Sequence, residues 1–218
     1  MYVNNIPISH YDGELQSGYS VTGAALDVSY SKTGQFPVLL QQKFGLKNLA
    51  IRITFQGSDS QEAYRKYSLF CSSLVGMLEL LLPDNAMYTA VMVGVSSENY
   101  IVDGFMEAEF SFIGVKHGPK QTTAGNTVFC ESTLPKTDCI LTVTVGKTGT
   151  NYKLGSVTFA AVAAGEVLCV DGITKRILVN GVPAAQRAEW LEFPYLKPGL
   201  NTIECPDTVT VEFYPAYF

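Results

Sequence analysis

Apolar and polar positions alternate in two rhythms along this chain, and the rhythms divide it into elements. Leu26, Val28 and Tyr30 alternate with Asp27, Ser29 and Ser31, and Leu49, Ile51, Ile53 and Phe55 alternate with Ala50, Arg52, Thr54 and Gln56. A period of two marks a strand with one buried face, so both stretches are expected as half-buried strands. Thr33–Pro37 and Lys43–Lys47 read as loops between them. Gly57-Ser58-Asp59-Ser60-Gln61-Glu62 then announces a helix: Ser58 with Gln61, or Asp59 with Glu62, has the spacing of a capping box. Tyr64, Tyr67, Cys71 and Leu74 follow at helical steps, an apolar stripe expected to pack on a sheet, and the helix should stop near Gly76. Leu78–Leu82 reads as a strand, Pro83-Asp84-Asn85 as a turn, Met87–Val95 as the returning strand and Ser96–Asn99 as a second turn. Met106, Ala108, Phe110 and Phe112 then alternate with Glu107, Glu109 and Ser111.

The pattern breaks at His117–Thr127, where no aliphatic side chain exceeds alanine. That stretch reads as a linker. Beyond it come only short strands with turn signals. Leu141, Val143 and Val145 alternate with threonines, and Val157 and Phe159 with Ser156 and Thr158. The strands Val167–Val170 and Ile177–Val179 follow, and Val209, Val211 and Phe213 share a face of the last one. Asp171-Gly172 and Asn180-Gly181 are hairpin dipeptides that accept positive φ, and Lys197-Pro198-Gly199 is a further turn. The fold expected is therefore mainly β. An α+β domain over residues 1–118 carries one main helix packed on a sheet; a linker spans 119–127; and 128–218 form a β-sandwich or jelly roll.

Composition changes the picture in one respect. Hydrophobic residues make up 47% of the chain and charged residues only 16%, so part of the surface is neutral polar or is covered by a partner. Net charge is −5, shared evenly along the chain, which argues against a basic nucleic-acid footprint. No apolar run reaches membrane-spanning length, and Met1–Asn5 lacks the features of a secretory signal. Cys71, Cys130, Cys139, Cys169 and Cys205 are widely spaced and odd in number, and are expected as reduced thiols, although Cys130 and Cys139 could bridge a hairpin.

Candidate chemistry is sparse. His10 and His117 are the only histidines, both in apparent loops and neither near a nucleophile motif, so no catalytic residue is expected and His117 reads as a solvated linker residue. Glu107 and Glu109 project from one strand face, as a glycosidase pair would, but the face equally reads as solvent-exposed or as lining a lumen. Gly146–Gly149 lacks the spacing of a phosphate loop, and Asp171–Thr174 is too short for a calcium loop. No cofactor and no metal site is expected. Trp190, the single tryptophan, lies in Glu189–Phe193, read as an alternating strand that places it opposite Leu191 and Phe193. It is a candidate subunit contact or sugar contact.

The stretches Val167–Gly181 ("VLCVDGITKRILVNG") and Phe193–Ile203 ("FPYLKPGLNTI"), with the closing Tyr214-Pro215-Ala216-Tyr217-Phe218, resemble the C-terminal galectin-like sandwich of the distal tail proteins of long-tailed, non-contractile phages. The first half resembles them through the Leu49–Gln56 strand running into the Ser58–Gly76 helix, an order also shared with tail-tube folds. The resemblance implies a non-enzymatic virion protein. In the family, six N-terminal domains close into a ring that continues the tail tube, with C-terminal domains around its outside. The ring joins the tube to baseplate or tail-tip proteins. Implied partners are further copies of the chain, the tail tube, the tape-measure and the tail-tip proteins, with DNA only passing through the lumen and no membrane. The implied location is the virion tail, assembled in the host cytoplasm from a phage or prophage gene. A carbohydrate-binding sandwich involved in host attachment and a tail-tube protein remain as alternatives.

Overall fold

The computed structural model describes residues 1–16, 18–23, 26–32 and 34–218. Thr33 of the expected loop, and the side chains of Leu26 and Asp27 in the expected alternation, lie outside the described residues. The chain divides into two compact units, Met1–His117 with Phe218, and Gly118–Tyr217.

The N-terminal unit runs β1 (Tyr2–Val3), β2 (Ile6–Pro7), a 3-10 turn at Ile8–Tyr11, β3 (Gly13–Leu15), β4 (Ser20–Thr22), β5 (Leu26–Lys32), β6 (Pro37–Phe44), β7 (Lys47–Gln56), α1 (Ser60–Ser73), β8 (Leu78–Leu81), β9 (Met87–Val102) and β10 (Phe105–His117). Its antiparallel sheet has the order β2-β1-β8-β9-β10-β7-β3, with β4 also on β7. Register explains the core. Phe110 of β10 lies opposite Ile51 of β7, Phe112 opposite Leu49, and Ala108 opposite Ile53. All six are buried, because cross-strand partners share a face and the alternation matches on both strands.

Helix α1 covers that face. Asp59 is its N-cap, accepting from the Glu62 amide at 2.8 Å, while the Glu62 carboxylate accepts from the Ser58 amide at 2.7 Å. These bonds satisfy donors that the first turn leaves unpaired. The buried residues of the helix are Ala63, Tyr67 and Phe70, with Leu74 just beyond its end; Tyr64 is exposed. The buried stripe is thus rotated from the expected one. It is anchored by Phe70, whose ring lies 5.5 Å from Phe55 and 5.2 Å from Phe110. The helix ends at Ser73, ahead of Gly76, whose φ of 83° takes the chain into β8.

Two further expectations need correction in this unit. Ser96–Asn99 is not a turn but the middle of β9, which continues to Val102 along β10 with bulges at three places. The turn comes at Asp103-Gly104, where φ of Gly104 is 79° and a Cβ would lie 2.7 Å from the Gly57 carbonyl oxygen. Polar residues continue the strand because its far end is solvated. The alternating Leu26–Ser31 stretch does form a strand, but not a half-buried one. Among the described residues it pairs only with β6, as a two-stranded ribbon whose Val28 and Tyr30 are exposed.

The C-terminal unit contains β11 (Gln121–Ala124), β12 (Thr127–Cys130), β13 (Thr137–Thr144), β14 (Gly149–Leu154), β15 (Val157–Val162), β16 (Val167–Asp171), β17 (Arg176–Val179), β18 (Val182–Pro183), β19 (Ala188–Trp190), β20 (Tyr195–Leu196), β21 (Gly199–Thr202) and β22 (Val209–Phe213). One sheet has the order β11-β22-β13-β16-β17-β18, with β20 also on β13; the other strands form β14-β15-β19 and β12-β21. Side chains from all these sheets, among them Leu141, Val143, Phe159, Leu168, Val170, Val211 and Phe213, join one apolar cluster, so this unit is a sandwich around a single core. The mainly β class expected from the periodicities is the class observed.

The expected linker at 119–127 is a correction. Gln121–Ala124 form strand β11, paired along its length with Thr210–Phe213 of β22. A strand at the edge of a sheet needs no large aliphatic side chain, because its outer side faces water and its stability comes from the ladder. Asn180-Gly181 turns as expected, with φ of 52° and 78°. At Asp171-Gly172 the positive φ falls instead on Lys175, at 59°. Gly172 is required for space: a Cβ there would come within 2.5 Å of the Pro194 carbonyl oxygen.

Candidate functional site

The residues capable of chemistry are scattered. His10 is exposed in the 3-10 turn, edge-on to Tyr11. His117 is not a solvated linker residue. It is the last residue of β10, 5% exposed, with Nε2 at 3.1 Å from the Thr89 hydroxyl and 3.3 Å from the Glu79 carboxylate. Thr89 also donates to Glu79 at 2.8 Å, so the imidazole closes a small polar knot across three strands.

Glu107 and Glu109 do share a face, but Arg52 on the neighbouring strand lies 3.7 Å from one and 2.9 Å from the other. Hydrogen bonds from Ser96 and then Arg52 hold the Glu109 carboxyl below the usual carboxylate range. A general acid needs the opposite shift. The thiols of Cys130 and Cys139 are both buried and free, and burial pushes Cys139 up to about 12, away from reactivity. Among the described residues no three His, Cys, Asp or Glu side chains gather where they could hold a metal ion. Asp207, beside the glycine-containing turn at Gly146, accepts from the Gly146 amide at 2.9 Å and the Tyr152 hydroxyl at 2.8 Å, which is a structural role.

Trp190 is 39% exposed and sits on the edge strand β19, opposite Val157 of β15. The expected alternation through Phe193 does not hold. The strand ends at Trp190 and the chain bends at Leu191-Glu192, which brings the Trp190 and Phe193 rings to 5.7 Å. Leu191 projects fully into solvent. Lys136 lies over the Tyr195 ring at 4.2 Å and pairs with Glu192; Lys175 lies over Phe193 at 5.6 Å and pairs with Asp138. The Tyr195 and Phe193 rings each already carry a cation that has its own carboxylate.

Periodicity alone did not point to the most unusual surfaces, which lie in the N-terminal unit. The β5–β6 ribbon pairs with no other strand among the described residues, and it is apolar on both faces. Val28, Tyr30 and Leu39 line one shallow hollow, with Tyr30 63% exposed; Val38 and Leu40 take the opposite face, with Leu40 64% exposed. Strand β9 is the other. Strand β8 reaches only the Met87–Ala90 part of β9 among the described residues. From Val91 to Val102, β9 has β10 on one side and, among the described residues, no strand on the other. Val93, Tyr100, Ile101 and Val102 are exposed along it. Exposed apolar surfaces of this kind are suited to contact with a partner.

The fold is shared with proteins solved from phage hub and baseplate assemblies. The fold matches the Dit (gp 19.1) protein of phage SPP1, described as a paradigm of hub adsorption apparatus in phages infecting Gram-positive bacteria, with TM-score 0.74 and 14% identity over 99% of this chain and 98% of that one. It also matches a chain of the phage P2 baseplate in its activated conformation, solved with Ca and with Sr, with TM-score 0.51 and 8% identity over 93% of this chain and 90% of that one. No family model and no curated protein matches the sequence.

Proposed function

We propose that this chain is a structural hub at the distal end of a phage tail, with its N-terminal units closing into a ring that continues the tail tube and joins it to baseplate or tail-tip proteins. The observation that carries the reading is a fold likeness to a hub protein that extends through both units. The ribbon supports it independently, since a monomer has no use for apolar side chains exposed on both faces of a two-stranded element. Six copies, as the sequence resemblance implies, form the ring through heterologous contacts that close. The face holding Arg52, Glu107 and Glu109 carries more acid than base, which suits a wall past which DNA must slide. Tail tube, tape-measure and tail-tip proteins are the further partners, the virion tail is the location, and Trp190 with Leu191 is a contact for a neighbouring component. Native mass spectrometry with negative-stain imaging tests the ring: we expect six-copy rings at high concentration. A chain that stays monomeric at every concentration, alone and with tail proteins, would remove the reading.

A further inference from the structure

We propose that Asn180 is a covalent modification site: its side-chain amide is lost by spontaneous deamidation, at a rate governed by a clasp to Val167. The proposal concerns the C-terminal unit alone and does not depend on the ring.

Asn180 is the one asparagine of the chain that is followed by glycine. Deamidation begins when the backbone nitrogen of the next residue attacks the side-chain carbonyl carbon. Glycine leaves that nitrogen unhindered, since it has no Cβ. Both residues are exposed, so water and hydroxide reach them. They are the central pair of the β17–β18 hairpin, flanked by the Val179–Val182 pair, and both have left-handed φ, 52° and 78°. The reaction needs no reagent but water. The Gly181 nitrogen gives up its proton and bonds to Cγ of Asn180, the bond from Cγ to the side-chain nitrogen breaks, and ammonia leaves. Water then opens the cyclic imide at either carbonyl, to aspartate or to isoaspartate.

The fold restrains the attack. The Asn180 backbone amide donates to the Val167 carbonyl at 2.8 Å, and Asn180 Oδ1 accepts from the Val167 amide, also at 2.8 Å. Together these bonds extend the β16–β17 ladder by one rung beyond the Leu168–Val179 pair. They draw Cγ toward β16, whereas the chain turns at Gly181 toward β18, on the other side of β17. Attack therefore waits for the clasp to open, which is a local event. The corner is poised for such openings: β18 has 2 residues, both exposed, and among the described residues it pairs only with β17. Isoaspartate at this position would run the main chain through the former side chain. That lengthens the turn and takes away the Oδ1 acceptor. The rung to Val167 and the pairing of β17 with β18 would go with it, beside the buried Val179 and Ala184.

Peptide mapping by mass spectrometry of the full chain, aged in warm and mildly alkaline buffer, tests this. Conversion of amide to acid should appear first at Asn180, with isoaspartate among the products. It should run at least about tenfold more slowly than in a free peptide of residues 176–186, which has no clasp. Val167→Pro removes the donor. Proline is tolerated at the first residue of a strand, and both backbone groups of Val167 are spent on Asn180, so no other ladder bond is lost. In this variant conversion at 180 should speed up at least about fivefold, approaching the peptide. Aged chain carrying isoaspartate, separated by chromatography, should melt below the unmodified chain. First conversion at any other asparagine overturns the proposal, as does a rate in the folded chain equal to that in the peptide. A folded Val167→Pro variant with an unchanged rate overturns it too; if that variant does not fold, the comparison of chain with peptide decides.

Discussion

Phe70 and Tyr64 lie on the same helix and have opposite environments. Phe70 is fully buried against Phe55 and Phe110, whereas Tyr64 is nearly half exposed. Phe70→Ala should cost about 3–5 kcal/mol in denaturant unfolding, from lost burial and the cavity left behind. Tyr64→Ala should stay within about 0.5 kcal/mol. Sequence spacing placed Tyr64 in the buried stripe because two overlapping sets, Tyr64-Tyr67-Cys71-Leu74 and Ala63-Tyr67-Phe70-Leu74, both fit a helical period. Ala63 is too small to mark the face, and only the position of the sheet decides between them. The cap was legible, as one of two alternatives, and Asp59→Ala should cost about 1 kcal/mol. Hydrogen bonds from Ser58, with the nearby Lys66 ammonium, lower the Glu62 carboxyl to about 2, well below the usual glutamate range. A depressed folded-state pKa stabilises above the unfolded value and is lost as pH falls through the folded one. Thermal melts between pH 4.5 and 2 should therefore lose less stability in Glu62→Gln than in the wild type.

At the scale of elements, strands that contribute to a core were readable and strands that do not were misjudged. The alternations of β7, β10, β13 and β22 are clean because one face of each is buried. Ribbon β5–β6 shows the same alternation at its start, and nothing in a period of two says whether a core exists beneath it. Strand β11 failed in the other direction: its Gln121-Thr122-Thr123-Ala124 has the composition of a linker, yet pairing with β22 makes it sheet. The bend at Leu191-Glu192 interrupts what reads as one strand. Limited digestion with a protease of broad specificity such as proteinase K separates the ribbon from the 118–127 stretch as the first site of attack. The first cut should fall at the ribbon tip, where Phe36 is 74% exposed, and not within residues 118–127. A first cut inside 118–127, identified by mass, would restore the linker.

At the scale of the whole molecule, the two units have separate apolar cores. The C-terminal core is drawn entirely from within residues 118–217, so this unit expressed alone should melt cooperatively and retain its near-ultraviolet signal. The Asn180-Gly181 hairpin turn, within a stretch that carried the family resemblance, was legible in the sequence. The contact surfaces were not, because exposure depends on which edges the fold leaves unpaired. The most direct test of the hub assignment is immunogold labelling of intact virions with antibodies raised against this chain. Gold should collect at the distal tail tip, where tube meets baseplate. Label spread along the tube would make the chain a tube protein, and label confined to the capsid would contradict a tail role altogether.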